Sequence, residues 1–464
     1  MLRILPLLLA IFLGTCAPPP ASQTAEPAAR PNIILVFIDD MGWADLSSFG
    51  NPDAETPNID RLAAEGIAFE QFYVNSPICS PSRVAISTGT WPQRWDITSY
   101  LDNRAANERR GVANWLDPAA PMLARELQSA GYATGHFGKW HMGGQRDVDD
   151  APPITTYGFD ASLTNFEGMG PKLLPLTKDE TGTVGRIWED AERLGGPYTW
   201  MQRSEITTGF IDTALTFIGA ARDAGQPFYV NLWPDDVHSP YWPPYAQYGV
   251  AKEDGKRGLY LAVLEAMDAQ FGKLFDYVRN DPKLRDNTLI VFCSDNGPEQ
   301  GAGRAGQLKG YKTHLYEGGV RSSLIVWGPG LVAPEAVGSR NRESVFSAID
   351  LRPSLLRLTG APPRDTLVDG ENVLPTLLGE TNGSRAEPIF WGRPPDRKSF
   401  YGFEELPDLA VRDGRYKLLC DYDGGRPELY DLQTDPGEEH NLASERPDLV
   451  RSLTTAVTDW YGAM

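Results

Sequence analysis

Apolar positions along the chain follow two periods. A continuous apolar run occupies 31–38, and 228–233, 288–293 and 322–327 read as further strands. An unbroken run of this length predicts a strand buried on both faces, as inside a parallel sheet; an alternating run would predict one wet face. Between these runs, apolar residues recur at helical spacing. Residues 205–221 put Ile206, Phe210, Ala214, Phe217 and Ala221 on one stripe, and 258–278 do the same with Leu264, Met267, Phe271 and Phe275. Thr56-Pro57 opens a helix that runs to Glu65 and stops at Gly66, 121–130 forms another closed by Gly131, and 349–358 a third capped by Gly360. Strands alternating with helices predict an α/β fold, with a large, mainly parallel central sheet flanked by helices.

The texture changes after about residue 365. Residues 411–416 read as a hairpin turning at Asp413-Gly414, 418–422 and 428–432 continue the meander, and 447–461 form a closing helix. We therefore divide the chain into a main domain, 31–365, and a small antiparallel C-terminal subdomain, 366–464. Residues 143–200 show neither period and predict a long irregular loop framing a cleft.

The start of the chain predicts export. Arg3 precedes an apolar stretch, 4–13, that is broken by Pro6 and too short to span a bilayer. Leu13-Gly14-Thr15-Cys16 resembles the bacterial lipoprotein box, which would make 1–16 a signal peptide with a lipid anchor at Cys16. Ordinary secretion with cleavage at 17–21 is the alternative. Residues 17–30, rich in Ala and Pro, read as a tether. The expected location is the periplasm, the cell surface or the medium. Four cysteines are too few for a disulfide scaffold, and Cys293 and Cys420 read as buried free thiols rather than a pair. With 43 basic and 62 acidic residues the formal charge is −19. That excludes a general nucleic-acid binder, but not an anionic substrate met by cations inside a pocket.

Two polar doublets end predicted strands: Asp39-Asp40 and Asp295-Asn296. Singly, each serves as a turn or cap. Together, beyond the carboxyl ends of a parallel sheet, they offer four oxygens to a hard cation such as calcium or magnesium. Cys79-Ser80-Pro81-Ser82-Arg83 reads on composition as a buried thiol before a helix capped by Ser80 or Ser82.

These residues also carry a resemblance. Cys79-Ser80-Pro81-Ser82-Arg83 resembles the C-x-P-S-R motif of type I sulfatases, in the alkaline phosphatase superfamily. In order along the chain, 31–40 resembles that family's opening strand and metal pair, and 56–63 its first helix. Gly138-Lys139-Trp140-His141-Met142-Gly143 resembles its G-K-W-H-x-G element, His238-Ser239-Pro240 its H-x-P element and Ser294-Asp295-Asn296-Gly297 its second metal pair. Residues 312–319 resemble its K-G-T-x-x-E-G-G segment, with Thr313 where Gly is usual, and 431–442 its C-terminal run. Eight elements in order make the likeness specific over about 31–445.

The resemblance implies a sulfuric ester hydrolase, and the export signal favours a sulfated carbohydrate, a polysaccharide or oligosaccharide, as its substrate. The resemblance implies that a formylglycine-generating enzyme oxidises Cys79 to formylglycine, whose hydrated gem-diol attacks sulfur while the alcohol leaves opposite. It implies a cation, calcium in most relatives or else magnesium, held by Asp39, Asp40, Asp295 and Asn296 beside residue 79. By the same resemblance Arg83 holds the diol, Lys139 and Lys312 bind sulfate, His238 protonates the leaving oxygen and His141 takes a proton from the second diol hydroxyl. Lys309 is the reserve for Lys312. His136, His314 and His440 keep structural or surface roles. Arg104, Arg109 and Arg110 are either solvated or recognise a carboxylated or sulfated sugar, and Trp91, Trp95, Trp115, Trp140 and Trp242 either stack on sugar or pack. A phosphodiesterase or phosphonate monoester hydrolase of the same superfamily is the enzymatic alternative. A non-catalytic glycan-binding lipoprotein is the other, although a binding module has no need of a convertible cysteine.

Overall fold

The structure is a computed structural model that describes residues 30–397, 402 and 404–464. The export segment, Cys16 and nearly all of the tether lie outside the described residues. The first four strands, β1 (Asn32–Ile38), β2 (Ile67–Tyr73), β3 (Ala133–Gly138) and β4 (Ala161–Leu163), belong to a central sheet. Next, β5 (Lys172–Lys178), β6 (Val184–Arg186) and β7 (Tyr198–Gln202) make a separate three-stranded sheet. The chain then returns to the central sheet with β8 (Phe228–Trp233), β9 (Thr288–Ser294), β10 (Arg321–Trp327), β11 (Ser339–Asn341) and β12 (Phe346–Ser347). Finally β13 (Ile389–Gly392), β14 (Leu409–Asp413), β15 (Tyr416–Cys420) and β16 (Glu428–Asp431) form an antiparallel sheet.

The central sheet runs β11-β2-β10-β9-β1-β8-β3-β4, with β12 also on β2. It is mainly parallel; β10 alone among these strands opposes both its neighbours. The unbroken apolar run of β1 has the consequence expected of it. Ile33, Leu35 and Phe37 point into one core and Ile34, Val36 and Ile38 into the other. The first core is closed by the helices Cys79–Thr88, Leu123–Ser129 and Leu351–Thr359, and the second by Pro57–Glu65, Ile206–Asp223 and Gly255–Asn280. A third core joins the antiparallel sheet and the helix Pro447–Gly462 to Tyr73 at the end of β2, Ala85 of the helix Cys79–Thr88 and Ile349.

Two expectations need correction. Residues 143–200 are not one irregular loop: they hold the last strand of the central sheet and all but the end of β7 of the β6-β5-β7 sheet. These strands are short, and β5 contains Pro175, so neither period develops. The helix predicted for 349–358 begins as a tighter turn, Ala348–Asp350, before Leu351–Thr359. Cys293 and Cys420 are buried free thiols. Among the described residues no helix is long and apolar enough to cross a membrane.

Candidate active site

Four strands adjacent across the sheet, β9, β1, β8 and β3, run parallel. Their carboxyl ends therefore open on one edge, where ligands of open α/β sheets bind. That edge carries Asp295 and Asn296 after β9, Asp39 and Asp40 after β1, Asp235 and His238 after β8, and Lys139 and His141 after β3. Strand register forces the doublets together. Ile38 is paired with Ser294, so the next residues of both strands lie side by side, and the Asp40 N–H donates to Asp295 Oδ1 at 3.1 Å. Oxygens of Asp39, Asp40 and Asp295 lie within 4.8 Å of one another. Two glycines permit the close approaches around them. Gly138, at φ +124°, would set a Cβ 2.2 Å from the Trp233 carbonyl, and Gly297 would set one 1.9 Å from that of Gly318.

The donor set fits a hard dication. Asn296 donates its amide to Asp40 Oδ1 at 2.7 Å, yet among the described residues its Oδ1 is buried with no hydrogen-bond partner. Three buried carboxylates with an orphaned amide oxygen are unfavourable as they stand, and oxygen ligation by a divalent cation relieves both the repulsion and the missing bond. Burial, and then the Asp39 carboxylate beside it, push Asp295 well above the usual carboxylate range. Burial acts the same way on Asp39, but Lys139, His238 and Arg83 overcome it and hold that group well below.

Three fixed cations face these three carboxylates. Arg83, fully buried, spans Asp295 Oδ2 at 2.8 Å and Asp39 Oδ1 at 3.3 Å and donates to the Lys139 carbonyl at 3.0 Å. Lys139 pairs with Asp39, and Lys312 reaches Asp40 Oδ2 at 2.6 Å. Lys309 lies elsewhere, 3.9 Å over the Tyr316 ring and bonded to the Glu438 carbonyl.

Cys79 is the first residue of its helix and is 2% exposed. Burial foremost, then the Asp39 carboxylate, push its thiol far above the ordinary cysteine range. Left as a thiol it stays protonated and is a weak nucleophile. Its sulfur lies within 4.8 Å of ligand atoms of Asp39 and His238. His238 Nδ1 bonds the Ser239 carbonyl at 2.7 Å, and its Nε2 stands 3.6 Å from Asp40 Oδ2. Burial, and then Lys312 and Lys139, lower its pKa. His141, at φ +53°, is buried with neither ring nitrogen bonded among the described residues; burial and then Lys139 and Arg83 lower its pKa well below the imidazole range.

Cys79, Lys139, His141, His238 and Lys312 line one cavity of about 310 Å³. Its outer wall is built from residues the sequence did not single out: Tyr100, Arg146, Phe166, Trp188 and Arg397. Arg146 comes a few residues after the 138–143 run, which is the one hint the sequence holds; Trp188 and Arg397 arrive from distant loops. The arginine cluster expected to read the sugar does not line this cavity. Arg104 pairs with Asp150, Arg109 is exposed, and Arg110 pairs with Asp396 at 3.2 Å while stacking behind Tyr100. Nor do the five tryptophans line it. Trp91 and Trp140 are buried in the core, Trp95 packs on it, Trp115 lies under Arg104, and Trp242 borders a neighbouring cavity.

Comparison with known proteins places this edge in a class. The sulfatase family model matches residues 31–361, and that of the N-sulphoglucosamine sulphohydrolase C-terminal region matches 310–459. The chain belongs to the sulfatase family. It is a type I member and a sulfuric ester hydrolase. It is 32% identical to N-acetylgalactosamine-6-sulfatase of Canis lupus familiaris, over 89% of this chain and 74% of that one. It is 30% identical to Homo sapiens arylsulfatase A, over 92% and 87%. The crystal structure of Ps i-CgsB in complex with k-i-k-neocarrahexaose superposes with a TM-score of 0.74 at 26% identity, covering 93% of this chain and 92% of that one.

Proposed function

We propose that this protein removes sulfate from a sulfated carbohydrate, with residue 79 as nucleophile after conversion to formylglycine. The observation that carries the reading is the meeting of Cys79, both lysines and both histidines in one cavity at the carboxyl edge of the sheet, with the Asp39, Asp40 and Asp295 carboxylates clustered beside Cys79. The sugar is supported by a relative named for N-acetylgalactosamine-6-sulfate and a structural neighbour seen with a carrageenan hexaose. The exported location expected from the first residues agrees with such a substrate.

Formylglycine, made from Cys79 by a formylglycine-generating enzyme, would supply the oxygen nucleophile that a buried thiol cannot. Calcium or magnesium held by Asp39, Asp40, Asp295 and Asn296 would supply positive charge for the sulfate oxygens and acidify that nucleophile. The chain's own residues do the rest. Arg83, pinned by Asp295 and the Lys139 carbonyl, orients residue 79. Lys139 and Lys312, paired here with Asp39 and Asp40, line the cavity as the cations that bind the sulfate oxygens. His238 protonates the departing sugar oxygen from Nε2, its Nδ1 being held by the Ser239 carbonyl. His141 is kept neutral by its surroundings and accepts the proton of a residue-79 hydroxyl as sulfate departs.

The test uses protein co-produced with a formylglycine-generating enzyme. Mass spectrometry of the peptide around residue 79 should show the aldehyde. Desulfation of defined sulfated oligosaccharides should fall at least about a thousandfold in Cys79→Ala. Unchanged turnover in that variant overturns the nucleophile, and glycan binding without turnover in the wild type favours a binding protein instead.

A further inference from the structure

A second cavity, of about 260 Å³, opens just after His238 in the chain. Trp242, Tyr245, Lys178 at the end of β5 and Arg203 just beyond β7 line it. An ion pair links its lining to that of the catalytic cavity. Asp235 lines the catalytic side, Arg203 lines this side, and the two meet at 2.6 Å. Arg203 is 5% exposed, and Asp235 uses both of its terminal nitrogens, through carboxylate and carbonyl. Its Nε is buried with no partner among the described residues, and so is Trp242 Nε1. Two buried donors without acceptors beside one cavity are unfavourable as they stand.

The remaining walls describe that ligand. Trp242 is held nearly flat against Tyr248, 5.6 Å and 26° apart, and Tyr245 is exposed. Lys178 Nζ stands 4.1 Å over the Tyr245 ring and makes no ion pair among the described residues. Aromatic side chains and an ammonium without an ion pair, set against the one lining carboxylate of Glu205, suit a sugar ring that carries an anionic substituent on its Lys178 side.

We propose that this cavity is a saccharide subsite adjoining the sulfate-cleaving pocket: the substrate is an oligosaccharide or polymer whose neighbouring, anionically substituted ring rests on Trp242 and Tyr245 and reaches Lys178. The inference rests on the sulfatase reading of the catalytic pocket and adds the length and charge of the substrate to it.

The test compares full-length matured wild type, Trp242→Ala and Lys178→Ala on sulfated galactosamine and carrageenan saccharides of one to six rings. In the wild type kcat/KM should rise once a neighbouring ring is present. The ratio of kcat/KM for two or more rings to that for one ring should fall about tenfold in Trp242→Ala. Lys178→Ala should lower it where the neighbouring ring is anionic and not where it is neutral. A wild type indifferent to chain length, or a ratio unchanged in both variants, overturns the subsite while leaving the sulfatase reading intact. A wild type that desulfates no saccharide of any length, with the aldehyde present at residue 79, overturns the sulfatase reading and the subsite with it.

Discussion

His136 lies just behind the catalytic edge, its ring edge-on to Trp140 and Trp233 with centroids 5.1 and 5.0 Å away. Burial first, and then the Arg83 charge, lower its pKa to about 3. In the unfolded chain an imidazole titrates near 6.5. Between these values the unfolded state binds a proton that the folded state refuses. Stability from this group is therefore full above the unfolded value and is lost as pH falls toward the folded one. At about 1.4 kcal/mol per pH unit, about 2 kcal/mol disappears by pH 5. Urea unfolding at pH 7 and pH 5 checks this. His136→Phe should lose less stability on acidification than the wild type by about that amount, and equal losses would show that the folded ring takes up its proton as readily as the unfolded one. His141 and His238 are lowered in the same direction, so the comparison isolates one of three groups.

Among the elements, the segment around Lys312 departs from its family pattern at a strained position. Thr313 stands where the family pattern puts glycine, and it adopts φ +75°, a conformation that strains a β-branched residue. Its N–H donates to the Pro77 carbonyl at 2.7 Å, which ties the lysine loop to the residues leading into Cys79. Thr313→Gly relieves the strain and gives back part of the gain as unfolded-state entropy, leaving a net stabilisation of about 1 kcal/mol. Thermal unfolding reads it directly; a lower midpoint would mean that the Thr313 methyl packs to more advantage than its backbone loses. Burial decides which elements were legible in the sequence. Strands β1, β8, β9 and β10 are buried on both faces and so read as mostly apolar runs, with Asn231 in β8 and Ser322-Ser323 in β10 the polar exceptions inside them. By contrast β2 is interrupted by Glu70-Gln71, and β3 contains two glycines and His136, so neither shows a run. Motif residues could be placed because strand ends fix them. The cavity's outer wall could not, because Trp188 and Arg397 reach it through long-range packing, and because the charges of Arg104 and Arg110 are spent on Asp150 and Asp396.

At the scale of the molecule, the antiparallel sheet is bound to the catalytic edge by buried charge. Lys417 of β15 sits between Glu317 at 2.9 Å and Glu438 at 3.0 Å, all fully screened from solvent at their charged ends, and Glu317 belongs to the segment that carries Lys312. The whole surface then sets how a substrate arrives. The net charge of −19 does not depend on the first 29 residues, which hold one Arg and one Glu. A polyanion is therefore repelled at long range and held only by the cations inside the cavity. The screening length falls from about 30 Å at 0.01 M salt to about 8 Å at 0.15 M, so added salt removes the distant repulsion while contacts of a few ångströms are weakened much less. For a hexasaccharide bearing several sulfates, kcat/KM should rise about threefold or more over that range, whereas a monosulfated single sugar should change less than about twofold. A steady fall for the hexasaccharide would mean that local cations, rather than the overall charge, govern encounter.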